Sequence, residues 1–187
     1  SLPEYQTAKS IAVYLSMPSG ELSTTGIVKD ALQRGKDVYI PYIHTQDKTS
    51  IMDMFALGSV SEFESLQRDK WGIPSLLSTQ IEGRPNGLAQ GLDLIVMPGM
   101  AFATGSDDLV MAKGIMIIFN AILNIDPQNA IPRYVVQKQS IYPRLNSMVV
   151  ALSLQEQLLA ENIPVVEHDW LVDAIVVGDG QFLNRRA

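Results

Sequence analysis

"GLDLIVMPGMAF", residues 91–102, is the stretch whose reading decides the fold. Leu92 to Met97 carries almost no polar alternation, the pattern of a strand covered on both faces. Pro98 and Gly99 then break it with a turn. Such a strand needs neighbours of its own kind. "IAVYLSM" (11–17), stopped by "PSG", is one; "DVYIPYI" (37–43) and "MVVALSL" (148–154) are others. Between the first two, "STTGIVKDALQRG" (23–35) has a helical period. Ser23, Thr24 or Thr25 can cap it, Ile27, Val28, Ala31 and Leu32 share a face, and Gly35 ends it.

The remaining segments are less regular. A short strand is expected near Ile51–Phe55, a short helix near Ser61–Gln67, and a further strand in "IPVVEH" (163–168). "SLQEQLLAEN" (153–162) and "AKGIMIIFNAILN" (112–124) both read as helices, the second too apolar to be amphipathic. The alternation predicts an α/β three-layer sandwich with a mostly parallel sheet, as a single domain over 1–187. Ligands in such sheets sit at the C-terminal ends of strands, which directs attention to the loops after Met17, Ile43 and Met97.

Composition narrows the function. The chain has 187 residues, 47% of them hydrophobic and 18% charged, so it has material for a buried core. A net charge of −6 without basic clusters argues against a nucleic-acid partner. No apolar run reaches the roughly 18–20 residues of a membrane span. There is no cysteine, so disulfides, thiolate zinc sites and thiol nucleophiles are out, in keeping with a cytoplasmic protein. The two histidines, His44 and His168, are too few for a histidine-rich metal centre, and no metal site is expected.

Candidate site residues cluster around the predicted strand ends. Glu21 follows the "MPSG" turn, and Asp107 and Asp108 lie beyond "MPGMAF". These are the candidate acids or bases. Lys113, expected at the start of a helix, would stabilise developing negative charge. Met17, Tyr42, Met54, Trp71, Pro98, Gly99, Met100, Phe102, Met111, Ile115 and Met116 are the expected lining of a cleft. A Pro-Gly turn after a strand is a usual place for an anion-binding cradle. Yet this loop runs on through Val110, Met111, Ala112 and then Ile115 to Phe119, which is not how a cradle is built.

Taken together, the segments resemble the 5-formyltetrahydrofolate cyclo-ligase (methenyltetrahydrofolate synthetase) family. The likeness runs in order through "YQTAKSIAVYLSMPSGE", "ALQRGKDVYIP", "MDM" (52–54), "WGIP" (71–74), "GLDLIVMPGMAF", "ALSLQEQ" (151–157) and "IPVVEHDWLVDAIVVGDG" (163–180), the last similar to fungal members. The resemblance implies that fold, and makes Glu21 the glutamate that meets the folate. It implies a reaction in which Mg-ATP phosphorylates the formyl oxygen, the N10 amine attacks, and phosphate leaves as the ring closes. The family's phosphate cradle is a loop of the form "RLGRGKGYYD". Here "DLVMAKGIMI" (108–117) stands in its place without a gap. Leu109, Lys113 and Gly114 agree. Asp108 and Met111 stand for arginines, Val110 and Ala112 for glycines, Ile115 and Met116 for tyrosines, and Ile117 for the aspartate that serves the metal. Ala103 also stands where the family has an aspartate, and the family's basic leading helix is expected to be absent.

Phosphoryl transfer depends on positioning and on neutralising charge, both of which these replacements remove. The expectation from sequence is therefore a repurposed member. It binds a hydrophobic small molecule, uses no cofactor, and catalyses an ATP-independent cyclisation, isomerisation or dehydration in specialised metabolism. Two rivals stand beside it. One is a non-catalytic pseudoenzyme, with the Ile115–Phe119 run facing a partner or a second copy. The other is a genuine cyclo-ligase, dependent on Mg-ATP, with an atypical nucleotide site.

Overall fold

A computed structural model describes residues 2–44, 51–104, 110–113, 147–159 and 170–184. The chain enters through helix α1 (Pro3–Thr7) into strand β1 (Ser10–Val13). Helix α2 (Thr25–Gln33) returns it to β2 (Asp37–His44), and β3 (Ile51–Leu57) runs back against β2. Helix α3 (Val60–Ser65) leads to a small hairpin, β4 (Gln67–Arg68) and β5 (Pro74–Ser75), then to α4 (Gly87–Gln90) and β6 (Leu94–Met97). Beyond the Pro-Gly turn, β7 (Ala101–Thr104) pairs with β8 (Val110–Lys113). The described chain continues with β9 (Met148–Ser153), β10 (Leu158–Leu159), β11 (Trp170–Leu171), β12 (Ala174–Val177) and β13 (Phe182–Asn184).

Among the described residues the main sheet has seven strands in the order β13-β12-β9-β6-β1-β2-β3. The five inner strands are parallel, and β3 and β13 close the edges antiparallel. Alternation on these strands divides the apolar residues between two cores. Ile11, Val13, Leu94, Val96, Val150 and Leu152 face the side of Val28 and Ala31 of α2 and Phe63 of α3. Ala12, Ile95, Met97, Val149 and Ala151 face the other side, which Leu88, Leu92 and Phe102 help to cover. This is the predicted α/β sandwich.

Three local expectations change. Thr24 is the N-cap of α2, but its side chain makes no capping bond. Its hydroxyl instead accepts from the Ser16 N–H at 3.2 Å, while its own N–H donates to Ser16 Oγ at 3.3 Å. The helix expected over 153–162 shrinks to a single 3-10 turn at Gln155–Gln157. The Gln157 side chain holds that turn, accepting from the Leu154 N–H at 2.8 Å and donating to the Gly99 carbonyl at 2.7 Å. Leu158 and Leu159 then pair with Phe102 and Ala103. Finally, Ala112 and Lys113 do not begin a helix: they end β8, opposite Phe102 and Ala101. The strand expected at 163–168 lies outside the described residues.

Candidate functional site

Parallel pairing sends the C-terminal ends of β1, β2, β6, β9 and β12 to one edge of the sheet. In chain order β2 lies on one side of β1 and β6 on the other, so the chain reverses direction around β1. In open α/β sheets, ligand crevices form at such points. Two loops meet the criterion: residues 14–24 after β1 and 98–100 after β6.

The first loop is closed on itself. Glu21 Oε2 accepts the Met17 N–H at 2.8 Å across the Pro18–Gly20 turn, and the paired Ser16–Thr24 bonds tie its base. The Tyr14 hydroxyl donates to the Leu22 carbonyl at 3.0 Å. Burial, and secondarily the Glu21 carboxylate, push the Tyr14 phenol well above its ordinary value, so it stays a neutral donor. Against this loop leans the β4–β5 hairpin. Gly72, at φ +81°, lies so close to Pro18 that a Cβ would sit 2.8 Å from its Cγ. Asp69 Oδ1 accepts the Trp71 and Ile73 N–H groups, and Arg68 Nη1 donates to the Gly72 carbonyl at 2.7 Å. Between loop and hairpin lies a hollow of about 230 Å³, whose lining includes Ser16, Glu21, Ser23, Thr25 and Arg68. One carboxylate and one guanidinium set its charge.

The second loop is a packed turn. A Cβ on Gly99 would fall 2.2 Å from Cζ of Phe102, so only glycine lets that ring pass beneath. Phe102 itself is fully buried.

The expected lining residues scatter. Glu21 and Met17 meet at the hollow, and Trp71, 60% exposed, lies on the hairpin beside it with Lys70 Nζ 4.2 Å from its ring centroid. Tyr42 packs edge-on to His44, their centroids 4.9 Å apart. Met54 is buried in the core, whereas Met100 is exposed. Met111 and Lys113 are placed by backbone alone, in β8. Asp107, Asp108, Ile115 and Met116 lie outside the described residues, as does His168. The hollow is polar, which does not support the expected hydrophobic pocket.

Two features escaped the sequence reading. Arg68 reaches the hollow because Gly72 folds the hairpin back, and an arginine before "DKWG" carries no sign of this on its own. His44 Nε2 lies 2.8 Å from Asp53 Oδ2, and Asn86 Nδ2 donates to Asp53 Oδ1 at 2.8 Å. The Tyr42↔Asp53 pairing in an antiparallel register is what aligns them. Among the described residues no three His, Asp or Glu side chains converge as a metal site, and no helix is long and apolar enough to cross a membrane.

Comparison with known proteins adds the remaining finding. The 5-formyltetrahydrofolate cyclo-ligase family model matches residues 1–109. The chain is similar to the 5-formyltetrahydrofolate cyclo-ligase of Mus musculus, 33% identical over 94% of this chain and 76% of the relative. It is also similar to a probable 5-formyltetrahydrofolate cyclo-ligase of Schizosaccharomyces pombe, 30% identical over 98% of this chain and 81% of the relative. The NMR structure of Aquifex aeolicus 5,10-methenyltetrahydrofolate synthetase superposes with a TM-score of 0.61 at 21% identity, covering 100% of this chain and 77% of that one.

Proposed function

We propose that this chain, which belongs to the 5-formyltetrahydrofolate cyclo-ligase family, is a 5-formyltetrahydrofolate cyclo-ligase that uses Mg-ATP. The observation that carries the reading is the extent of likeness to proteins of that name: 27–33% identity over 92–98% of the chain. It corrects the expectation of a repurposed, cofactor-free enzyme acting on an apolar metabolite. That expectation rested on one loop, whereas the likeness spans the chain. Relatives from mouse, worm and two yeasts also give no ground for a fungal or specialised-metabolic role.

In this reading the hollow beside Glu21 takes the folate. Its carboxylate accepts hydrogen bonds from the ligand's N–H groups, Arg68 faces the ligand's anionic or carbonyl oxygens, and Trp71 offers an aromatic face at the rim. The neutral Tyr14 phenol holds the loop that presents Glu21.

Mg-ATP fits the described residues poorly. The hollow offers a single cation, and the carboxylates described do not converge on a metal position. The family cradle's place is taken by Asp108 to Ile117, whose side chains provide one cation, Lys113, and one acid, Asp108. That donor set does not neutralise a triphosphate.

The test follows methenyltetrahydrofolate by absorbance, with 5-formyltetrahydrofolate and Mg-ATP supplied to the protein produced from its own transcript. Nucleotide-dependent turnover is expected. A folded protein that is silent with both substrates would refute the reading.

A further inference from the structure

We infer that residues 108–117 are the family's phosphate loop translated one nucleotide out of frame, so that the messenger still encodes the loop this chain lacks. The inference rests on family membership and deepens the nucleotide site of the proposed function.

When a reading frame is set back by one nucleotide, each new codon joins the third base of one residue's codon to the first two of the next. Some joints allow no choice. Met111 followed by Ala112 must give GGC, a glycine at position 112. Met116 followed by Ile117 must give GAT, an aspartate at position 117. Asp107 followed by Asp108 gives CGA, an arginine at position 108, or else a stop. These are the family's residues at all three places in "RLGRGKGYYD".

The other joints permit the rest. Asp108–Leu109 allows leucine, and Leu109–Val110 allows glycine. Ala112–Lys113 allows lysine, and Lys113–Gly114 allows glycine. Gly114–Ile115 and Ile115–Met116 both allow tyrosine. Position 111 alone disagrees, because Val110–Met111 yields a codon ending in AT, which encodes tyrosine, histidine, asparagine or aspartate. The opposite displacement fails outright, since Met116–Ile117 then gives TGA, a stop.

The same arithmetic explains the grease. Codons with T in second place encode only phenylalanine, leucine, isoleucine, methionine and valine. GGT, TAT and GAT, for glycine, tyrosine and aspartate, carry their T in third place. Moving the boundary by one base puts that T second, and a polar loop becomes Val, Met and Ile without any selection for an apolar pocket.

The structure bounds the displaced segment. Phe102 is fully buried, with its ring under Gly99, and so belongs to the undisplaced frame. β9 lies between β6 and β12 in the main sheet, with Val149, Val150, Ala151 and Leu152 buried, so that frame has resumed by Met148. The family model's match ends at residue 109, inside the segment.

The test is to sequence the transcript across codons 100–150 in the source organism. The protein sequence leaves synonymous third bases free; the inference fixes them. It requires GAC for Asp107 and Asp108, TTG for Leu109, GCA for Ala112, AAG for Lys113, GGT for Gly114 and ATT for Ile115. A different base at any of these codons overturns it. In parallel, the chain as it stands and one with codons 108–117 read in the displaced frame are titrated with Mg-ATP by calorimetry. The second is expected to bind tighter by about a hundredfold or more, as restoring charge-assisted phosphate contacts requires. Equal binding by two folded proteins also overturns the inference. Matching codons and restored binding without folate turnover would uphold it and sink the cyclo-ligase reading instead.

Discussion

Two apolar runs in this chain look alike and behave differently. In "GLDLIVMPGMAF" every apolar residue has a destination: Leu94 and Val96 go to one core, Ile95 and Met97 to the other, and Phe102 fills the space that Gly99 leaves. The run from Val110 onward is apolar in composition, and of it only Val110 to Lys113 lie among the described residues. Its predicted helix meets a strand at Ala112 and Lys113. Hydrophobicity placed by selection carries alternation and paired small residues; hydrophobicity produced by a shifted codon boundary carries only composition. An apolar replacement series is therefore weak ground for inferring an apolar ligand.

The contrast breaks most readily in the first run's setting. Ile11 is fully buried between β2 and β6, so Ile11→Ala should cost about 2–5 kcal/mol in denaturant unfolding. A loss under 1 kcal/mol would mean that this core is no better specified than the later run. At the hollow, Glu21→Gln keeps an acceptor for the Met17 N–H and removes the charge. Turnover of 5-formyltetrahydrofolate should fall by about a hundredfold while the melting temperature holds; unchanged turnover would move the folate site elsewhere.

A sharper probe is Gly99→Ala, whose new methyl must displace the Phe102 ring. The expected cost is about 1–3 kcal/mol, seen as a lower urea midpoint with the slope retained. The smallest effect belongs to Asp93, whose carboxylate accepts the Lys9 and Ser10 N–H groups at 2.8 and 2.9 Å. Those bonds, the Ser10 one foremost, hold its pKa below the usual carboxylate range. A depressed folded value contributes stability above the unfolded pKa of about 3.9 and loses it as pH falls through the folded one. Asp93→Asn should thus cost about 1 kcal/mol near neutrality, discounted for exposure, and nothing once both states are protonated. Melting curves at neutral and strongly acid pH check the convergence.

What the sequence disclosed follows the same division. Strands β1, β2, β6 and β9 and helix α2 were legible because burial on two faces, a 3.6-residue period and a terminal glycine are local signals. The Glu21 loop was legible through resemblance and position. The Gln155–Gln157 turn was not, because the bond from Gln157 to the Gly99 carbonyl joins residues far apart in the chain. Arg68 and the His44–Asp53 contact were hidden for the same reason: a hairpin fold-back and an antiparallel register bring them into place. The apolar loop misleads because composition alone does not separate a selected lining from a shifted codon boundary.

The bond from the Met17 N–H to Glu21 Oε2 has a consequence for how ligands are told apart. An ionised carboxylate has about four lone-pair sites, so this single bond fixes the group's orientation without exhausting its capacity to accept. A ligand presenting N–H groups there would add bonds, whereas one presenting only acceptors would face a carboxylate with nothing to donate. The loop thus aims a group that discriminates by what it refuses.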